Sequence, residues 1–129
     1  PDDLRSIDYS AVPVAVFSNS QVSTVGLTEE QARAQGCDYV VGRRDYGGTA
    51  YGWALDDTTS FAKVLVDRTT RLILGAHIIG PQAATLLQPL VQAMQFGQTA
   101  DDIAHGQFWI HPALTEVVEN ALLDALQKL

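Results

Sequence analysis

Phe61-Ala62-Lys63-Val64-Leu65-Val66, then Asp67-Arg68-Thr69-Thr70, then Arg71-Leu72-Ile73-Leu74-Gly75-Ala76-His77-Ile78-Ile79 is the run that decides the fold. The outer blocks are rich in β-branched and aliphatic residues and read as strands. The polar block between them leaves room only for a tight connection, so 61–79 is predicted to be a β-hairpin. At Gly80-Pro81 the apolar period changes from 2 to about 3.6. Pro81 suits the start of a helix. Ala84, Leu87, Leu90 or Val91, and Met94 would line its apolar face, with Gln82, Gln88, Gln92 and Gln95 opposite. Pro89 should kink this helix, and Gly97 should end it.

Toward the N-terminus, residues 1–11 are polar and read as a linker or arm. Val12 to Phe17 reads as a strand, with Pro13 placing it at an edge or at its own start. Ser18-Asn19-Ser20 is a turn, and Val22 to Gly26 is short and extended. Thr28-Glu29-Glu30-Gln31 is a capping-box signature, opening a helix that should reach about Gln35 and stop at Gly36. Asp38 to Arg44 is a further strand. Gly47-Gly48 breaks the chain, and residues 49–54 read as one more short strand, followed by an Asp56–Thr59 turn. Four or five strands with short links favour an antiparallel meander over a βαβ sheet.

Toward the C-terminus, Thr99 caps a short helix whose first turn carries Asp101 and Asp102, and Gly106 ends it. Thr115 is predicted to cap a last helix. Residues 117, 118, 121, 122, 125, 126 and 129 form its broad apolar face. The fold class is therefore α+β: an antiparallel sheet of about four to five strands with helices packed on one side. Residues 12–129 form one domain.

The chain has 129 residues, enough for a real core. Its net charge of -7 excludes a phosphate-neutralising Lys/Arg face, hence nucleic acid, and disfavours an anionic membrane surface. One cysteine, Cys37, cannot make an intrachain disulfide, a CxxC motif or a structural zinc site. No run is long and apolar enough to suggest a transmembrane helix, and no signal peptide is visible. A reducing cytoplasm fits. The chain begins with Pro1 rather than Met, which is expected of a piece of a longer protein.

Chemistry concentrates in Trp109-Ile110-His111-Pro112-Ala113-Leu114-Thr115-Glu116. An imidazole titrates near neutrality and can both take and give a proton. It needs a partner that fixes its tautomer and supports its charged form. With Thr115 as cap, Glu116 would be the first helical residue, kept anionic by the positive helix end. A turn at Pro112 would bring it to a ring nitrogen of His111, and a cis His111–Pro112 bond would fold the chain back sharply. The alternative is an ordinary histidine before a proline and a surface acid. His77 reads as a structural strand residue and His105 as an exposed helix end. Asp56-Asp57 and Asp101-Asp102 read as turn and helix-start acids. Arg43 and Arg44 point to opposite strand faces and form no common clamp. Trp53 and Trp109 suit core or interface. No metal site is expected.

These stretches also carry a resemblance. Val12–Phe17, Val25-Gly26-Leu27-Thr28-Glu29, Phe61-Ala62-Lys63, Leu74-Gly75-Ala76-His77-Ile78-Ile79-Gly80, and His111-Pro112 with Glu116 occur in one order over nearly the whole chain. The chain resembles the C-terminal interface (dimerisation) domain of the FAD-dependent pyridine-nucleotide–disulfide oxidoreductases. That family includes glutathione reductase, dihydrolipoamide dehydrogenase and mercuric reductase. Asp45–Ala54, Gln88-Pro89-Leu90 and Gly106–Leu114 point, within it, to a branch that reduces the disulfide of a low-molecular-weight thiol. Thr115 stands where Ser or Pro is expected, and His105 where Arg is expected.

The resemblance implies a homodimer. His111 would be the acid–base for the interchange thiol in the partner subunit's site, and Glu116 would orient it. The main chain at His111 and Pro112 would approach the partner's flavin. FAD and NADPH would be held by other domains of the full-length parent, and the substrate would be a small disulfide. This chain has no GxGxxG after a strand and no cysteine pair, so alone it is expected to bind no cofactor and to be inactive. The competing readings are a dihydrolipoamide dehydrogenase-like or mercuric reductase-like paralogue, a stand-alone non-catalytic dimerisation module, and a Cys37–His111 nucleophilic enzyme.

Overall fold

The computed structural model describes residues 9–129. Most of the expected arm at 1–11 lies outside the described residues; Ala11, at its end, is buried in the core. Five antiparallel strands make one sheet: β1 (Val14–Val16), β2 (Val22–Gly26), β3 (Tyr39–Asp45), β4 (Phe61–Asp67) and β5 (Ile73–Ile79). Their order in space is β1-β2-β5-β4-β3.

The predicted 61–79 hairpin is β4–β5, in register with Val64 opposite Ala76 and Ala62 opposite Ile78. The Asp67 carboxylate closes its turn by accepting the Thr69 and Thr70 N–H groups. The expected simple meander is corrected. β3-β4-β5 and β1-β2 are runs of consecutive neighbours, but β2 pairs with β5 instead of β3, with β1 at the outer edge. The apolar alternation sets this register: Val25 falls opposite Ala76 and Ser23 opposite Ile78. Pro13 stands just before the edge strand, where its missing N–H costs no ladder bond.

That alternation places Val25, Ala76, Ile78, Ala62, Val64, Val66 and Val40 on one face, all buried. Two helices cover them: α3 (Ala83–Phe96) and α5 (Thr115–Leu126). Ser23 reaches up from the sheet to donate to the Ala83 carbonyl at 2.8 Å. Gly42 lies directly beneath α5. A Cβ there would collide with the Ala121 carbonyl and Ala125, so the close approach of strand and helix requires glycine. The short α1 (Glu29–Ala34) sits on the opposite face, tied by the Glu29–Lys63 ion pair at 2.8 Å. Its capping box forms as read, with Thr28 and Gln31 reciprocally bonded, and Gly36 follows at φ +71°.

Three local expectations are corrected. Residues 49–54 are no strand: Ala50–Ala54 form a one-turn helix, α2, behind a 3-10 turn at Tyr46–Gly48. The Thr49 hydroxyl accepts the Gly52 N–H at 3.3 Å, and Gly52 abuts the Tyr46 carbonyl too closely for any side chain. These contacts override the β-prone composition. The buried stripe of α3 is Ala83, Leu86, Leu87, Leu90 and Ala93, rotated about one residue from the expected face, and the helix runs on through Pro89. The start moves as well, from Pro81 to Ala83, because Gln82 takes a left-handed conformation at the cap. α4 (Ala100–His105) follows with its Thr99–Asp102 capping box. The last helix buries Val117, Val118, Ala121, Leu122 and Ala125, as its pattern predicts, and ends before Leu129.

Candidate active site

The loop between α4 and α5 is pinned at several points. The Trp109 indole N–H donates to the Ala104 carbonyl at 3.3 Å, and the Gln107 amide donates to the Ile103 carbonyl at 3.2 Å. Trp109 turns inward against the core, while Phe108 and Ile110 point out, the period-2 alternation of extended chain. The His111–Pro112 peptide is cis. Buried Leu114 then anchors the entry to α5.

This turn brings His111 and Glu116 together. His111 Nδ1 lies 2.8 Å from Glu116 Oε1, and the Ala113 N–H donates to Oε2 at 3.1 Å. Both carboxylate oxygens are therefore occupied. The His111 bond holds the Glu116 carboxyl below its ordinary value, with help from the Ala113 N–H; burial opposes them. With the carboxylate ionised, the Nδ1 proton points at it, and the neutral form of the ring then has its lone pair on Nε2. Nε2 meets no hydrogen-bond partner among the described residues. The His111 side chain is 69% exposed and that of Glu116 only 15%, so the ring faces outward from a sheltered carboxylate.

The expected cap at Thr115 is corrected. Leu114 already has helical φ/ψ, so Thr115 lies inside the helix, where its hydroxyl cannot turn back onto the first free N–H groups. Thr115 Oγ1 is buried without a partner. Glu116 is the second helical residue, and it takes over part of the capping through Ala113.

Beside His111 opens a cavity of about 510 Å³, walled by Pro112 on one side and by the Gly47–Gly48 turn and α2 on the other. Nothing in the sequence had placed residues 50–54 at the site. Tyr51 is 40% exposed and Trp53 is 77% exposed. Two glycines followed by exposed aromatic residues were the available signal, but nothing local connects residues 47–54 to residue 111.

The other candidates stay apart from this centre. His77 is half-buried in β5, between Thr24 Oγ1 at 2.6 Å and the Leu27 carbonyl at 3.0 Å. His105 is exposed in the last turn of α4. Cys37 precedes β3, whereas the cavity wall follows it, so a strand of about 20 Å separates them. A Cys37–His111 couple is thereby excluded. Asp57 and Asp102 accept backbone N–H groups, and Asp101 pairs with Arg71. Arg43 stacks on Phe61 at 3.9 Å, while Arg44 bonds Gly48 on the other side of the strand. Among the described residues no group of His, Cys, Asp and Glu could hold a metal ion, and no helix is long and apolar enough to cross a membrane.

Residues 12–122 match the family model described as the pyridine nucleotide-disulphide oxidoreductase dimerisation domain, and the chain belongs to that family. Among individual proteins, it is 57% identical over 116 residues to a mycothione reductase of Mycobacterium tuberculosis, covering 90% of this chain and 25% of that protein. It is 38% identical over 121 residues to a dihydrolipoyl dehydrogenase of Halobacterium salinarum, covering 94% and 25%. Of solved structures, LpdA from Mycobacterium tuberculosis superposes with a TM-score of 0.86 at 20% identity, covering 93% of this chain and 26% of that one, a likeness of fold. The Escherichia coli flavoprotein disulfide reductase RclA, as its Cu(II) complex, gives 0.80 at 28% identity, covering 93% and 26%. The chain spans about a quarter of the length of the relatives it matches.

Proposed function

We propose that this domain belongs to a cytoplasmic, homodimeric flavoprotein that reduces mycothione with NADPH, and that His111 and Glu116 supply the acid–base pair to the partner subunit's active site. The observation that carries this reading is the 2.8 Å His111–Glu116 contact beneath an outward-facing ring. Such a ring has a fixed tautomer and a free Nε2, and nothing among the described residues for that nitrogen to act upon.

Reducing a disulfide breaks one S–S bond and makes two S–H bonds, consuming two electrons and two protons. The electrons would come from FAD and NADPH, bound by other domains of the parent. The role of this chain is to move protons. Nε2 takes the proton of the attacking thiol, and the resulting imidazolium is stabilised by Glu116. Nε2–H then returns the proton to the leaving thiolate. Ile110, His111 and Pro112 are all exposed, so their main chain is free to meet another subunit's cofactor surface. The fragment by itself, with one cysteine and no phosphate-binding glycine loop, should not turn over.

A dihydrolipoyl substrate is the second reading, favoured by the 38% identical relative. Steady-state kinetics of the full-length parent with mycothione and with lipoamide separates the two. Replacing His111 with Gln in that parent should abolish disulfide reduction and leave flavin reduction by NADPH near normal. Equal loss of both half-reactions would refute the acid–base role.

A further inference from the structure

We propose that the open face of β1 and β2 is the seat of the cofactor-binding part of the same parent chain, so that this domain holds its own subunit at one edge of the sheet and serves the partner subunit at the other. This rests on the proposed reading of the chain as one domain of a longer flavoprotein, with His111 turned toward the partner.

Cross-strand register builds the seat. Residues directly opposite each other share a face of a sheet. Val16 lies opposite Val22, Val22 opposite Ile79, and Ile79 opposite Phe61. These four make one apolar row across four strands. Their neighbours Ser23, Ile78 and Ala62 are buried on the helix side, so the row lies on the other face. Val14, opposite Thr24, extends it. α1 covers only the far part of this face, where Glu29 holds Lys63 and the Leu27 carbonyl holds His77. Val14 and Val16 are more than half exposed, and Phe17, next in the chain, is 77% exposed.

The two edges of the sheet differ in kind. β3 bears Arg43, Arg44 and Asp45, and part of its backbone is already taken. The Asp124 carboxylate accepts the Arg43 N–H at 2.8 Å, and Lys128 donates to the Val41 carbonyl at 2.8 Å. Charge of this kind guards an edge against pairing. At the other edge there is none: residues 9–28 include no Asp, Glu, Lys or Arg. Among the described residues nothing pairs with the outer side of β1. An exposed apolar patch without charge is an interface surface.

The course of the chain selects the occupant. Gly47 and Gly48 follow β3 directly, so the His111 cavity opens at the β3 side of the sheet. Four strand spacings, about 19 Å, separate that side from β1. A partner engaged at His111 and a neighbour on β1 therefore sit at opposite edges. Tyr9 and Val12, which lead into β1, are exposed as well. This chain spans only 25% of both relatives named above. On the reading adopted, the cofactor domains come before it in the parent and are tethered beside β1, which favours that contact over one with a separate molecule.

Phe17→p-benzoylphenylalanine in the full-length homodimer, irradiated and separated under denaturing conditions, reads which chain lies against β1. The crosslinked species should run at the mass of one subunit, and peptide mapping should join residue 17 to a segment of the parent outside these 129 residues. Val16→p-benzoylphenylalanine should give the same join, and it decides the matter if the first variant does not assemble. Crosslinks at the mass of two subunits would put a second copy on β1 and overturn the inference. Crosslinks confined to these 129 residues, or none at either position, would overturn it too. A parent with no domain beyond this one would remove the underlying reading; a multidomain parent that crosslinks to the wrong chain removes only the seat.

Discussion

His77 and His111 are the same side chain in opposite settings. His77 sits within the sheet and spends both nitrogens on neutral partners. Its Nε2–H donates to the Leu27 carbonyl, and its Nδ1 accepts from the Thr24 hydroxyl. Burial pushes its pKa down, so it is held neutral. His111 spends one nitrogen on a carboxylate and leaves the other open to the outside. The first arrangement stitches β2 to β5; the second leaves a ring nitrogen free, as the proposed acid–base role requires. Proton chemistry is set by the charge of the partner and the freedom of the second nitrogen.

The contrast can be attacked from both sides. The largest effect should come from His111→Gln in the full-length parent: turnover of the disulfide falls about 10²–10⁴-fold, with thermal stability unchanged. Glu116→Gln keeps the shape but removes the charge that supports the imidazolium. It should lower turnover about 10–100-fold, corresponding to about 1.4–2.7 kcal/mol of barrier. His77→Ala should do the reverse, destabilising the fold by about 1–3 kcal/mol in urea titrations, since it strands the Leu27 carbonyl and the Thr24 hydroxyl. Specific activity of the folded fraction should be unaffected.

A smaller effect follows from pH. The folded pKa of His77 lies below its ordinary 6.5. The unfolded chain therefore binds the proton first as pH falls, and stability declines from about pH 6.5 downward through the folded pKa. The urea midpoint should drop between pH 7.5 and 5.5 in the wild type, and less in His77→Gln. Cys37→Ala should be the mildest change, within about 0.5 kcal/mol and silent in activity. A loss of turnover there would contradict the assignment of chemistry to His111.

These differences track what could be read from the chain. The Thr28–Gln31 capping box and the Thr99 cap were legible because each closes over three residues; that Asp102 completes a second box emerged only in the structure. His111 and Glu116 were legible for the same reason, a five-residue turn. The β2–β5 pairing was not, because its partners are about fifty residues apart and any of the strands could have taken the edge of β5. Thr49–Ala54 was misread because its composition favours a strand, while a carbonyl from Tyr46 and a cap from Thr49 favour a helix turn. The same distance hid the cavity, which needs β3 and the α4–α5 loop to end side by side. The start of α5 was misplaced by one residue, since Leu114 enters helical geometry under the pull of its own burial.

The central claim is that His111 works across the dimer. It is tested most directly by a mixed dimer of the full-length parent, one subunit carrying His111→Gln and the other a serine in place of a redox cysteine. Each subunit alone is dead. If His111 serves the partner's site, one of the two sites regains both groups, and the mixed dimer should show about half the wild-type turnover. A mixed dimer as inactive as either parent would contradict the account, because His111 would then act within its own subunit.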